Sequence, residues 1–587
     1  MNHDHDVAII GGGPSGSTMA TLLRKYDPQL RVVILEREKF PRAHIGESQL
    51  PAIGPILAEM GVWEKVEEAG FPIKLGATFT WGRDGERWDL DFYPVERFQD
   101  EPRPARYEGQ RRSTAFQVER AVYDDILLRH AQACGALVRE ETSVREVQRD
   151  GDRIERLVLG SGEPLTARYY VDGSGSAGFL RRALGVATKA PTELRNIAIY
   201  DYWEDAEWAI TIGRGGTRIQ VRSLPYGWIW FIPIAATTVS IGLVCPSEYY
   251  KSRGLSAEEL FAEALASEPT VGALIAKARQ RGKVQTVKDW SHLSERLVGD
   301  NWFLVGEAAG FADPILSAGM TLAHTSAREA AYTILEIERG ELDAGWLKES
   351  YETKTRRNIH QHIQFAQYWY ASNGIFTELK EHCRNIAREA GFSMAPEKSW
   401  RWLALGGFAN HTPTAVRLGS FDLGLAISLV DKFAGAKQGA ARYQLEQVNV
   451  LKLDLEGAEE AFLGDYGEGR VRQVSCFRRG SKVLPNVGPY QNLIAMLRKT
   501  KDMGALYEML QQGIAANVPP KNRDLALTEH LYALEAMLIG GWVKGKLDKR
   551  RGQVKLGNLG QHMRRTAESM KALEKRKGVN VKEARGG

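Results

Sequence analysis

Gly11-Gly12-Gly13-Pro14-Ser15-Gly16 constrains the fold of this chain more than any other stretch, because an apolar run at 7–10 precedes it and a helical pattern at 17–26 follows. A second apolar run at 32–35 completes strand, glycine turn, helix, strand, the order of a parallel βαβ unit. The glycines fit G-x-G-x-x-G in the context the motif needs. Gly11 permits the tight turn, Gly13 lets backbone approach a pyrophosphate, and Gly16 lets helix pack close to strand. Ser15 lies in the first helical turn, where free N–H groups and the helix dipole favour an anion. Glu36 closes the second strand, where a carboxylate can accept hydrogen bonds from ribose hydroxyls, and Arg37 follows it. Dinucleotide binding is expected; the motif does not choose between FAD and NAD.

At 587 residues the chain exceeds what one core usually organises, so two or three domains are expected. Hydrophobic content of 43% with 26% charged residues excludes a disordered or fibrous chain. The net charge of +5 is uneven: residues 542–587 hold 14 Lys/Arg against 4 Asp/Glu. Such a basic tail reads first as a solvated end, and second as a contact for an acidic protein or nucleic acid; no nucleic-acid motif accompanies it. Cys134, Cys245, Cys383 and Cys476 are too scattered for a zinc site or a disulfide framework, and the N-terminus carries no secretory pattern, so a cytoplasmic protein is expected.

Amphipathic patterns predict helices at 51–60 and 121–133, and β-branched and aromatic residues predict strands through 195–244. Residues 228–245 carry no charge and approach a membrane span in length, but Pro233, Thr237, Thr238 and Ser240 interrupt them; a buried hairpin is expected instead. A strand at 302–305 leads to a long helix from about 320 towards 338. From about 373 the pattern turns to charged helices with few strand signals. The expected organisation is an α/β core over 1–372, with a substrate sheet at about 195–300, then a mainly helical domain over 373–587 ending in the basic tail. Residues 524–539 read as a helix, and Gly540-Gly541 as a break before a short hairpin.

Three further features favour FAD. Gly46-Glu47-Ser48 follows Arg42, Asp172-Gly173 ends the strand at 169–171, and Gly306-Glu307-Ala308-Ala309-Gly310 ends the strand at 302–305. With Arg120, in Gln117-Val118-Glu119-Arg120, these resemble the p-hydroxybenzoate-hydroxylase type of FAD fold. The resemblance implies that Arg42, Glu47, Ser48, Arg120, Asp172, Gly306, Glu307, Gly319 and Met320 line the cofactor. Glu307 departs from the Asp usual in that group.

Trp228-Ile229-Trp230-Phe231-Ile232-Pro233 resembles the W-x-W-x-I-P signature of flavin-dependent halogenases, and Phe71-Pro72-Ile73-Lys74 through Gly82 resembles the segment carrying that family's essential lysine. The second segment is most similar to the phenol, pyrrole and carrier-protein branch. This implies an enzyme in which reduced FAD, O2 and chloride or bromide give hypohalous acid. Trp228 and Trp230 would wall the organic substrate from the flavin, dense tryptophans making a rigid surface. A buried tunnel would lead the oxidant to Lys74, which would hydrogen-bond it or form a haloamine. Desolvation lowers a lysine's pKa and makes the neutral amine available.

The same resemblance places the halide at Ser317-Ala318-Gly319, just before a helix start. It also sets Leu316 where the tryptophan-halogenating branch has a catalytic glutamate, which points to an electron-rich ring such as a phenol rather than free tryptophan. No second dinucleotide loop is present, so a separate flavin reductase is the expected partner, with an aromatic substrate either free or tethered to an acyl or peptidyl carrier protein. His360 and His362 lack metal spacing and read as exposed helical residues; no metal is expected. Tyr368-Trp369-Tyr370 is expected at the junction with the C-terminal domain or at the substrate mouth. An aromatic hydroxylase on the same flavin fold is the rival reading, and it would have no need of Lys74 beside Trp228 and Trp230.

Overall fold

The computed structural model describes residues 3–81, 87–191, 194–288, 290–371, 443–480 and 482–554, with short pieces at 373, 375, 377–379, 417–418, 421–422, 564–566, 568, 571 and 579–581. Gly82, Cys383 and most of the basic tail lie outside these residues. The βαβ unit forms as strand His5–Ile10, helix Pro14–Tyr26 and strand Val32–Leu35. It sits within a five-stranded parallel sheet of order Trp302–Leu304, Ala167–Asp172, His5–Ile10, Val32–Leu35, Leu137–Arg139. A parallel sheet is covered on both faces, and Val7–Ile10 and Val32–Leu35 are accordingly unbroken runs of buried apolar residues. Helices Pro14–Tyr26, Arg120–Ala133 and Gly319–Arg339 meet at His324, whose ring contacts Thr18 Oγ1 at 2.7 Å and Tyr123 Oη at 2.9 Å. Burial pushes this imidazole down to about 3, so it is neutral.

The predicted hairpin is present: Gly227–Pro233 pairs antiparallel with Thr238–Pro246, inside a twelve-stranded sheet that also takes in Asn196–Glu204 and Gly216–Leu224. The sheet reaches beyond the expected 195–300, because Ile73–Thr80 pairs parallel with Gly216–Leu224 and Arg87–Asp91 lies outside it. Ile229, Phe231, Ile241 and Leu243 point to one side and form a core with Leu260, Phe261 and Ala264 of helix Ala257–Ser267. Trp228 and Trp230, by the two-residue period, point to the other.

Lys74 belongs to that second face because of a register shift. Along Gly216–Leu224 the residues Thr217, Ile219, Val221 and Ser223 share a face. Thr217 pairs with Lys74, Val221 with both Phe79 and Trp230, and Ser223 with Trp228. Strict alternation back from Phe79 would put Leu75 there instead. The ladder slips by one residue between Thr217 and Arg218, a bulge at Leu75 that turns Lys74 to the side of the tryptophans.

The chain divides into two compact units, residues 1–389 with 564–587, and residues 390–563. Sequence patterning places 564–587 with the C-terminal domain; the structure places these residues in the first unit. Arg564–Arg565 pairs with Arg87–Asp91, Val579–Val581 pairs with Ile210–Ile212, and Thr566 is buried with its hydroxyl on Asp89. These parts of the tail are sheet rather than solvated end. The described part of 390–563 has helices Gly488–Leu497, Met503–Asn517 and Arg523–Gly540, and also a meander of Glu459–Gly467, Arg470–Arg479 and Lys482–Pro485 that the sequence pattern did not announce. The strand after Gly541, Val543–Lys546, has no neighbouring hairpin partner among the described residues; it pairs with Val450–Leu453. Among the described residues no helix is long and apolar enough to cross a membrane.

Candidate functional site

The glycine turn is shaped by close approaches that only glycine tolerates. Gly11 has φ +101°, and a Cβ there would lie 2.4 Å from the Gly173 carbonyl oxygen; one on Gly16 would lie 1.9 Å from that of Gly11. Gly13 caps the helix N-terminus with no side-chain cap and no acidic residue in the first turn, so the first amides remain available to an anion. A Cβ on Gly13 would first meet Arg42 Nη2, at 3.4 Å. Glu36 accepts hydrogen bonds from the Gly12 N–H at 2.7 Å and the Glu38 N–H at 2.9 Å. Arg37 is turned outward, paired with Glu38.

The other residues assigned to the cofactor fall into distinct groups. Arg120 grips Asp124 with Nε and Nη2 at 2.7 and 2.8 Å and donates through Nη1 to the carbonyl oxygens of Ile45 and Gly46. Arg42 reaches the same carboxylate at 3.3 Å. Although burial works against ionisation, these guanidiniums hold the Asp124 carboxyl below its usual range. Glu47 is buried, accepts from Tyr202 Oη at 2.8 Å, and is raised by desolvation. Gly306, at φ +59°, approaches Ser15 so closely that a Cβ on it would lie 2.5 Å from Ser15 Oγ. Glu307 is half-buried and raised by burial, with Arg120 acting in the opposite direction. Asp172 is used by its own turn: it accepts from the N–H and hydroxyl of Ser174 and from the Arg181 N–H.

Ser48, also expected to serve the cofactor, accepts a hydrogen bond from the lysine. Lys74 Nζ donates to Ser48 Oγ at 2.8 Å, the Gln49 carbonyl oxygen at 3.0 Å and Ser317 Oγ at 3.3 Å, and sits 5.3 Å from the Phe92 ring centroid. It is 1% exposed, and burial lowers its pKa to about 7. Ser317 has φ +54° and ends the turn Pro314–Leu316, and helix Gly319–Arg339 follows from Ala318, again with no side-chain cap and no acidic residue in its first turn. Ala318 and Met320 are buried. The side chain of Leu316 lies outside the described residues.

The aromatic face is hydrogen-bonded as well as packed. Trp228 and Trp230 have ring centroids 6.1 Å apart, and Tyr200 lies 6.0 Å from Trp230. Trp230 Nε1 donates to Ser240 Oγ at 3.1 Å, and Gly242 makes room for the indole: a Cβ there would lie 2.2 Å from Cζ2. Trp228 Nε1 donates to Tyr370 Oη at 2.8 Å, and Tyr370 Oη donates to Asp313 Oδ1 at 3.1 Å. Trp369 and Tyr370, at the end of helix Ala344–Ala371, thus pack within the first unit, against Phe79, Trp81 and Trp228; the Tyr368 side chain lies outside the described residues.

Sequence reasoning did not find Asp124, Asp313 or Gln49. The four-residue spacing of Arg120 and Asp124, at the start of the helix predicted from 121, was a usable signal for the first; Gln49 acts through its backbone, which leaves no mark in sequence. The expectation of two exposed histidines is half corrected: His360 is exposed, but His362 is buried and contacts the Asn358 carbonyl oxygen at 2.8 Å. Among the described residues no cluster of His, Cys, Asp or Glu could hold a metal ion.

The residues fit FAD. The uncapped Gly13 helix end and its close-packed glycines suit a pyrophosphate, and Gln117, fully buried and joined to Ser48 by an isolated antiparallel bridge, keeps both ends of its amide without a partner among the described residues. Comparison with known proteins agrees. The tryptophan halogenase family profile matches residues 6–100 and 94–388. The chain is 34% identical over 397 residues to the 1H-pyrrole-2-carbonyl-(peptidyl-carrier protein) chlorinase of Pseudomonas fluorescens, covering 65% of this chain and 87% of that one. It is 35% identical over 354 residues to the tryptophan 2-halogenase of Chondromyces crocatus, covering 59% and 64%. Among solved structures, the myxobacterial chondrochloren halogenase CndH superposes with a TM-score of 0.57 at 33% identity, over 63% of this chain and 83% of that one. The flavin-dependent halogenase CmlS superposes with a TM-score of 0.71 at 26% identity, over 95% and 100%. The chain belongs to the tryptophan halogenase family of flavin-dependent halogenases.

Proposed function

We propose that this enzyme halogenates an electron-rich aromatic ring, a phenol or a pyrrole, and that Lys74 delivers the halogen. The observation that carries this reading is the seat of Lys74: a fully buried amine, held by two hydroxyls and a carbonyl, at the foot of an uncapped helix and on the sheet face of the two tryptophans. FAD, when bound and reduced, supplies with O2 the two-electron oxidation that turns halide into hypohalous acid. Gly11, Gly13, Ser15, Gly16, Glu36, Arg42, Arg120 and Gln117 would hold it.

The chain's own contributions follow from geometry. The N-terminus at Ala318-Gly319 binds the halide through first-turn amides whose N–H groups have no intrahelical acceptor. Trp228 and Trp230 form a wall that large aromatic substrates do not pass. The three acceptors around Nζ match the three donors of an ammonium. Loss of one proton near pH 7 therefore leaves two donors to fix the amine and a lone pair to act. The lone pair attacks the halogen of hypohalous acid, displacing hydroxide and forming N–X with loss of a proton. The ring carbon then takes X from nitrogen, the N–X bond breaking as nitrogen takes up a proton, and the ring loses its own proton to solvent, so that the amine is regenerated.

The pyrrole chlorinase relative supports a substrate carried as a thioester on a carrier protein; the Chondromyces relative supports an indole as second reading. Reduced FAD comes from a separate flavin reductase. The test is Lys74→Ala: FAD binding and O2 consumption continue, while halogenated product falls at least a thousandfold by mass spectrometry. Product formation near the parent rate would remove Lys74 from the chemistry. Supplying the ring free and as its carrier thioester decides the form of the substrate.

A further inference from the structure

Asp313 is a fully buried carboxylate on which four segments converge. It accepts the Ile315 N–H at 3.0 Å, Trp290 Nε1 at 3.2 Å, Tyr370 Oη at 3.1 Å and Asn196 Nδ2 at 3.5 Å. The first of these bonds caps the turn Pro314–Leu316, the turn that delivers Ser317 to Lys74 and opens helix Gly319–Arg339. The third fixes Tyr370, whose oxygen is the acceptor for Trp228 Nε1. One carboxylate thus joins the loop at the lysine to the aromatic face, through a tyrosine that comes from a helix ending more than fifty residues later.

Rotation of a tryptophan about its two side-chain torsions is limited by packing and by its single donor. Trp228 has that donor satisfied only through Tyr370, and Tyr370 is itself oriented by Asp313 and by the Trp81 ring 6.2 Å away. We propose that Asp313 and Tyr370 are positioning residues for halogenation, which hold Trp228 and the Ser317 loop at one fixed spacing so that hypohalous acid reaches Lys74 instead of escaping. The proposal rests on the reading of Lys74 as the halogen carrier, and neither residue touches the reacting atoms.

The chemistry of the junction makes it sensitive to small changes. Tyr370→Phe keeps the ring but leaves the Trp228 N–H without an acceptor and Asp313 without one donor; a buried unpaired group is costly and shifts its neighbours. Asp313→Asn sets an amide N–H₂ against the donors of Trp290 or Asn196. Reduced FAD is supplied chemically with chloride or bromide, and two quantities are read: halogenated product, and hypohalous acid trapped by a scavenger in solution. The proposal expects Tyr370→Phe to bind FAD normally and consume O2 at the parent rate. Trapped hypohalous acid per O2 rises at least threefold and product falls by the same share. In a Trp228→Phe background, Tyr370→Phe adds less than twofold, because the hydrogen bond it acts through is already gone. Unchanged partition in Tyr370→Phe, or an equal effect with and without Trp228, overturns the proposal. Lys74→Ala run alongside separates the two ideas: product from that variant sinks the carrier role itself, whereas a dead Lys74→Ala with a parent-like Tyr370→Phe sinks only the positioning role. Asp313→Asn is the harsher variant, and if it fails to fold the tyrosine pair still decides.

Discussion

A lysine with no carboxylate among its hydrogen-bond partners, buried to 1% exposure, behaves differently from a surface lysine. Burial lowers Lys74 to about 7, against about 10.4 for a free side chain. The folded form gives up its proton near pH 7 and the unfolded form keeps it. The burial penalty on stability is therefore full below pH 7 and fades as the pH climbs towards 10. Delivery by the neutral amine predicts an acid limb near pH 7 in the rate of halogenation at saturating halide. Ser48→Ala removes an acceptor that favours the ammonium, so the limb should move to lower pH while the plateau falls severalfold from looser aim. A rate profile with its limb unmoved would detach Ser48 from the titrating group. Ser48 also illustrates what a motif does not resolve: Gly46-Glu47-Ser48 looks like one cofactor loop, yet Glu47 turns to Tyr202 and Ser48 to Lys74, because neighbouring residues of an extended chain face opposite ways.

At the scale of elements, the bulge at Leu75 decides which face of the sheet carries the amine. Deleting Leu75 removes the extra residue and leaves Lys74 opposite Thr217 in strict alternation with Phe79, so the amine stays on the side of the tryptophans. The expected result is FAD binding intact and halogenation retained at a reduced rate; flavin absorbance and product mass measure the two separately, and complete loss of product from a variant that still binds FAD would contradict the facing argument. This element also marks the limit of sequence reading. The βαβ unit, the hairpin after Trp228 and the long helix from Gly319 were legible because each declares itself by local periodicity or a turn residue. The parallel pairing of Ile73–Thr80 with Gly216–Leu224 was not, since strands some 140 residues apart carry no mark of their partner, and the bulge reverses what alternation predicts. The tail strand at Arg564–Arg565 was hidden for a further reason: two arginines on an edge strand read as solvated charge.

For the whole molecule, two units with separate cores imply two unfolding transitions, and FAD should raise only the one belonging to residues 1–389, because a ligand stabilises the unit that binds it. The other transition has its own titration. Glu535 is fully buried in helix Arg523–Gly540, and its two oxygens accept the N–H groups of Gln444 at 2.8 Å and Leu445 at 3.0 Å. Burial pushes its carboxyl up to about 7, the two hydrogen bonds working against that shift. An acid raised in the folded state stabilises most fully below its unfolded pKa of about 4.3, and that stability is lost as pH rises through 7, up to about 3–4 kcal/mol in all. Calorimetry should therefore show the FAD-insensitive transition falling by several degrees between pH 6 and pH 8. Glu535→Gln, which does not titrate, should flatten that dependence even if it melts lower at pH 6 through the loss of one acceptor. A transition that stays level in the parent, or slopes equally in the variant, would mean that Glu535 is ionised throughout and that its two backbone partners outweigh its burial.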